Sequence, residues 1–153
     1  MSYSLKLLPN IIVKFHANYL EDDGKPTKKR SHLVIKVDEV KQEMTLLKIT
    51  SKWKNYFLQA KLGSVKCLPK PSFIILNRII IFDLSTLRND HHKFRICQTH
   101  QGNCAEEWRF VKIINKLKKF WKNPLNRDKL KIRLDWGKLK VMNANERTNH
   151  STD

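Results

Sequence analysis

Apolar and polar positions alternate through most of the first eighty residues, and that period predicts strands. Pro9 to Leu20 opens on an apolar run and continues with Val13, Phe15, Ala17 and Tyr19 at every second position, the spacing of a half-buried strand. Glu21 to Lys29 is a polar loop carrying Gly24 and Pro26. Leu33 to Val37 and Met44 to Ile49 predict two more strands, joined by the polar turn Asp38 to Glu43. Trp53 to Leu62 mixes aromatics, apolars and lysines and suits either a strand or a short helix. Gly63 and Pro69-Lys70-Pro71-Ser72 punctuate the chain before Phe73 to Phe82, which reads as one very apolar strand broken only by Asn77 and Arg78. Short strands at such close spacing favour a small barrel.

The pattern changes after Asp83. Leu84 to Gly102 is polar. Asn103 then stands as a candidate cap for a helix beginning near Cys104, with Glu106 and Glu107 in its first turn. Trp108, Val111, Ile114 (or Asn115), Leu117 (or Lys118) and Trp121 recur at helical spacing, lysines fill much of the remainder, and Pro124 ends the pattern. The aromatic stripe is expected to dock on the core. Leu130, Ile132, Leu134 and Trp136 alternate as a terminal strand or hairpin, with Leu139 and Val141 beyond Gly137, whereas 143–153 has nothing to anchor a fold. The expected architecture is therefore α+β: a small β-barrel with a C-terminal amphipathic helix and a basic tail. Residues 1–122 are expected to form the single domain, and 123–153 a partly disordered extension.

Charge narrows the function. Lys and Arg number 31 against 14 acids, a net charge of +17 on 153 residues. Self-repulsion of that size works against the compact state and is easiest to explain if the protein meets a polyanion. Nucleic acid comes first, an acidic protein second and an anionic membrane surface third. No apolar run approaches the ~20 residues that span a bilayer, and no signal peptide is read near the start. The odd count of three cysteines argues against a disulfide framework and for a reducing cytoplasm.

Most chemistries lack their residues. Cys97, His100 and Cys104, with His91 and His92 upstream, hold the ligand types of zinc but not a spacing that orders them. The four glycines form no phosphate-cradling loop, no Gly-x-Ser-x-Gly elbow exists, and the acids do not cluster as a two-metal nuclease requires. No cofactor is expected. What remains is metal-free phosphodiester chemistry on RNA, in which the substrate's own 2′-hydroxyl attacks. The protein must then hold the charge of the phosphorane oxygens and manage two protons. A hairpin over 33–49 sets the cationic run Lys28-Lys29-Arg30 near the hydroxyl pair Thr50-Ser51. Arginine offers phosphate a planar, permanently charged fork, and the hydroxyls donate to the same oxygens. His32 stands two residues after Arg30, as suited to lining the site as to an incidental surface place. Lys52, Trp53 and Lys54 follow the hydroxyls; Trp53, like Tyr56, suits either base stacking or half-buried packing.

The order of these pieces resembles the PemK/MazF family of toxin endoribonucleases. The resemblance rests on Leu8-Pro9-x-Ile-Ile-Val-x-Phe, Asp23-Gly24, Lys29-Arg30-x-x-Leu33-Val34-Ile35, Ile49-Thr50-Ser51, and Leu68 to Ile79 closed by Ile81-Phe82-Asp83. It covers roughly residues 7 to 88. It implies an SH3-like β-barrel, usually a homodimer, and metal-independent cleavage of single-stranded RNA to 2′,3′-cyclic phosphate and 5′-hydroxyl ends. It also implies a cognate antitoxin, which is protein in some relatives and RNA in others. Carried over, Arg30 is the general acid or oxyanion clamp and Thr50 holds the scissile phosphate. Ser51 is expected to act beside Thr50, and the neighbouring Lys28, Lys29, His32, Lys52, Trp53 and Lys54 are the expected RNA contacts. Ser31 stands where the family usually has proline, and Asn77 where some relatives carry a catalytic acid. The competing expectation is a non-catalytic RNA- or DNA-binding module on the same barrel.

Overall fold

Two strands and the turn between them carry the rest of the molecule. β2 (Lys29–Asp38) and β3 (Glu43–Thr50) pair antiparallel from Asp38↔Glu43 to His32↔Lys48. Asp38 begins the turn, and its Oδ1 accepts from the backbone N–H groups of Val40 and Lys41, an Asx-type closure. Gln42 takes the left-handed φ of 55° that completes the reversal. The register slips once between Val34 and Lys36. The computed structural model describes residues 8–16, 29–54, 58–89, 95–97, 104–126 and 129–134. Ala17, Tyr19, Asp23, Gly24, Lys28, Tyr56, His91, His92, His100, Asn103, Trp136, Leu139, Val141 and the tail 143–153 lie outside the described residues.

β1 (Ile12–His16) flanks β2, and β7 (Arg95–Cys97) flanks β1, both antiparallel. On the other side, the apolar stretch expected as one strand divides in two at Asn77. β5 (Ser72–Ile75) pairs with the end of β3 at Ile49 and Thr50, and β6 (Arg78–Asp83) pairs with its beginning, Glu43 to Leu46. Asn77 is the corner, and its carbonyl accepts from Leu130 N–H, where β8 (Leu130–Arg133) joins β6 in parallel. β8 thus ties residues beyond 123 into the sheet. β4 (Gln59–Gly63) pairs with β5, so 59–63 is strand, one of the two states its pattern allowed. The path β4-β5-β3-β2-β1-β7, with β6 and β8 branching from β3, does not close. The fold is α+β with a mostly antiparallel sheet; a closed barrel is not shown, since β4 and β7 remain the two ends of the path among the described residues.

Both faces of the central strands are buried. Val13, Phe15, Val34, Met44, Leu46, Ile80 and Phe82 form one cluster, with Leu84 of the short helix α1 (Leu84–Asn89). Leu33, Leu47, Ile49, Leu62, Ile74 and Leu76 form the second, covered by α2 (Glu107–Lys122) through Ile113, Leu117 and Phe120. The docked stripe is therefore rotated from the expected one. Trp108 and Val111 are about half exposed at 53% and 48%, because the row 113/117/120 carries three apolar side chains with no intervening lysine. α2 enters through a buried clamp. Asn10, at φ 70°, donates from Nδ2 to Ala105 O (2.7 Å) and accepts from Ala105 N (3.1 Å), and its carbonyl accepts from Cys104 N (2.7 Å).

The cysteines differ from expectation. Cys67 is disulfide-bonded, so the odd count does not exclude a bridge. The buried Cys104 sulfur lies 3.5 Å from the Cys67 sulfur, and burial pushes its thiol pKa up. Among the described residues, no helix is long and apolar enough to cross a membrane.

Candidate functional site

At the end of the hairpin remote from its turn, β2 begins and β3 ends side by side. Continuing the His32↔Lys48 register by two residues in each direction brings Arg30 level with Thr50. A cleft of about 510 Å³ opens there, lined by Arg30 and Ser31 from β2, Lys48 to Thr50 from β3, and Ser51, Lys52 and Lys54 from the following loop. Lys14 of β1, directly across from Ser31, completes one wall, and Leu68 to Lys70 with Ser72 completes another. Six cations line this cleft, and no carboxylate does.

The loop that brings Lys52 and Lys54 to the rim is braced from within. Thr50 Oγ1 accepts from Lys52 N at 3.2 Å, a tight local turn. The buried Gln59 side chain accepts from Lys54 N (2.7 Å) and donates to Lys52 O (3.1 Å). Gln59's own carbonyl accepts from Lys116 Nζ of α2 at 2.7 Å. On the far wall Ser72 Oγ donates to Lys70 O at 2.9 Å, holding that turn. Accepting from Lys52 N leaves the Thr50 hydroxyl proton able to donate, a bond that a phosphate oxygen can take.

Of the residues singled out from sequence, Arg30, Thr50, Ser51, Lys52 and Lys54 share the cleft. Lys28 lies outside the described residues, and Lys29 is described by its backbone alone, at the start of β2. His32 is corrected. It is fully buried, its ring stacked on Phe15 (4.3 Å between centroids, 8° between planes), with Nδ1 donating to Arg30 O at 3.0 Å. Burial lowers its pKa to about 3, against two backbone hydrogen bonds that raise it and with Lys48 and Arg30 repelling its charge. It packs as a neutral core ring and does not reach a strand in the cleft. Trp53 is 46% exposed and tilts against Phe73 at 4.9 Å, outside the cleft lining. Lys14, Lys48 and Lys70 were missed because each is an isolated lysine in sequence. The hairpin register places Lys48, but only through the slip between Val34 and Lys36, since a plain count back from Asp38↔Glu43 sets Lys48 opposite Leu33.

The arrangement is an anion trap. Cations on opposed walls fit a chain of phosphates better than a lone one, and the hydroxyls of Thr50 and Ser51 add neutral donors at the rim. What the lining lacks is a group suited to proton transfer near neutral pH: neither a carboxylate nor an imidazole is among its residues. The fold and site thus define an α+β protein with a cationic, hydroxyl-edged cleft. No family model matches the chain, and no curated protein matches it.

Proposed function

We propose that the protein binds single-stranded RNA in this cleft and cleaves it without a metal ion, as a toxin held in check by a cognate antitoxin. The observation that carries the reading is the meeting of Arg30, Thr50 and Ser51 with five lysines in one cleft whose lining has no acid. The resemblance to the PemK/MazF toxins supplies the reaction, and with it the SH3-like barrel, the homodimer and the cytoplasmic setting. The 2′-oxygen attacks phosphorus, the bond to the 5′-oxygen breaks, and the proton lost from the 2′-hydroxyl is balanced by one gained on the leaving oxygen. A guanidinium and ammonium groups aimed at the phosphorane oxygens lower the barrier where charge develops. Thr50 and Ser51 orient the phosphate.

A second reading, a non-catalytic RNA- or DNA-binding module, is favoured by one specific observation: the cleft lining has no imidazole or carboxylate, and the nearby His32 is buried and neutral. The two readings part in one experiment. The purified protein is incubated in EDTA with a long unstructured RNA, and the ends are mapped beside Arg30→Ala. Discrete cuts with 5′-hydroxyl ends, lost in the variant, support the ribonuclease. Intact RNA that is retarded on a gel supports the binder and ends the enzyme reading.

A further inference from the structure

A second cationic cleft lies beside the first. It runs between β4 and α2, about 320 Å³ in volume, with Ala60 and Ile113 as its apolar floor and Lys61, Arg109, Lys112 and Lys116 as its remaining lining. Every ionisable group lining it is a cation. Arg109, Lys112 and Lys116 fall at i, i+3 and i+7 of α2 and so share one face of the helix, and Lys61 projects toward them from the neighbouring strand. Like charges at i, i+3 and i, i+4 destabilise a helix, and a fourth cation across the cleft adds to the repulsion. The nearest acids in sequence, Glu106 and Glu107, stand at the helix start and are not part of this lining. An anion in the cleft removes the repulsion.

Gln59, which lines neither cleft, ties residues of the two together. Its side chain holds the Lys52–Lys54 loop of the first cleft, its carbonyl accepts from Lys116 of the second, and Ala60 and Lys61 follow directly along β4. Lys54 at the rim of the first cleft and Lys116 of the second are thus both tied to Gln59, and neither lining contains an acid. Arg109's guanidinium carbon sits over the Trp108 ring, 4.3 Å from its centroid.

We infer that the β4–α2 cleft is an extension of the RNA-binding surface, seating the phosphates of nucleotides that flank those held beside Arg30. The inference rests on the RNA reading of the first cleft, but not on cleavage there. It makes α2 a part of the binding surface as well as a cover for the core, and it makes affinity depend on strand length.

The test uses fully 2′-O-methylated oligouridylates, which have no 2′-hydroxyl to attack, of about 4 and about 14 nucleotides, lengths that bracket common single-strand site sizes. Fluorescence anisotropy is measured with the full chain and with a Lys61→Gln/Arg109→Gln/Lys112→Gln variant whose melting curve is checked first. These side chains are exposed or half-exposed and hold no described backbone contact, and single substitutions replace the triple variant if it melts early. The expected result is a loss of at least about fivefold for the long probe, little change for the short one, and a salt slope flattened by about 2 for the long probe alone. A smaller loss, or an equal loss at both lengths, overturns the extension. If unmodified RNA stays uncut by the wild-type chain in the EDTA assay while the length-dependent loss is intact, the cleavage reading ends and the extension stands. If neither probe binds the wild-type chain, both fall.

Discussion

Arg30 and His32 are two residues apart on one strand and have opposite fates. Arg30 sits where β2 begins and reaches the cleft, and His32 sits one pair further in, stacked on Phe15. Removing a preorganised charge donor from a phosphoryl site lowers the rate by about 10²–10³. Arg30→Ala is expected to lose that much cleavage, and Thr50→Val about tenfold, while circular dichroism stays that of the parent. An Arg30→Ala protein that cuts at the parental rate would remove Arg30 from the chemistry. His32 governs stability instead. Its imidazole protonates near 6.5 when unfolded and near 3 when folded, so between those values the unfolded chain binds more protons and stability rises with pH. Read downward, stability is lost as pH falls from 6.5 toward 3, by roughly 5 kcal/mol at the limit. Asp38 and Glu39 also have lowered pKa values, from 3.8 and 4.5, through backbone donors and Arg88 respectively, so the span from about 4.5 to 6.5 belongs to His32 among the described groups. Urea midpoints across that span are expected to fall with pH in the wild-type chain and to be flatter in His32→Phe. Equal slopes would mean that the ring titrates in place.

At the level of elements, local pattern and tertiary choice contributed differently. The β2–β3 hairpin was legible because alternation and an Asp-led turn agree. α2 was legible as a helix, but its buried face was not. Two apolar rows overlap on it, and burial followed 113/117/120, leaving Trp108 outside. β7, with three residues, and α1, with six, are too short to show a period. The split at Asn77 was hidden inside an apolar run, because which neighbours a strand pairs with is decided by the whole sheet. The cleft was half legible: its arginine and hydroxyls stand out in sequence, and its scattered lysines converge only through register. Asn10 was unreadable for the same reason, since its partner Ala105 is 95 residues away. Asn10→Ala removes both side-chain bonds to Ala105 and places a Cβ-bearing residue with no compensating hydrogen bond at φ 70°. A loss of about 4 kcal/mol is expected from two orphaned buried groups and the left-handed backbone. Asn10→Gly should recover about 1 kcal/mol, the backbone share alone. Urea unfolding of the two variants checks the order, and equal midpoints would locate the whole effect in the lost hydrogen bonds.

Along the central hairpin, charge is segregated among the described residues. The two described ion pairs, Glu39–Arg88 and Glu43–Arg133, lie at the turn end of the hairpin. The cleft lies at the other end, about 23 Å away for the seven residues from Glu43 to Thr50 at a strand's rise. Among the described residues, Glu39 and Glu43 thus pair with arginines at the turn end of the hairpin, while the cleft at the other end has six cations and no acid in its lining, a charge left to act on a ligand. A strand that engages all six cleft cations displaces counterions from about six phosphates, and for single strands log K then falls against log salt with a slope of about −4. Raising salt from 50 to 200 mM should weaken binding of an unstructured RNA by two to three orders of magnitude. Lys48→Gln/Lys70→Gln should flatten the slope by about 1.4, because each lost contact removes about 0.7. The slope separates a built cleft from diffuse attraction. If net charge alone drew the RNA, removing any two surface lysines would flatten it equally, so Lys118→Gln/Lys122→Gln, both exposed and on the face of α2 turned away from Arg109, Lys112 and Lys116, is the control. A steep parental slope, flattened by the cleft pair and not by the control pair, is the outcome the charge distribution requires. Equal flattening by both pairs would reduce the cleft to one part of a uniformly basic surface.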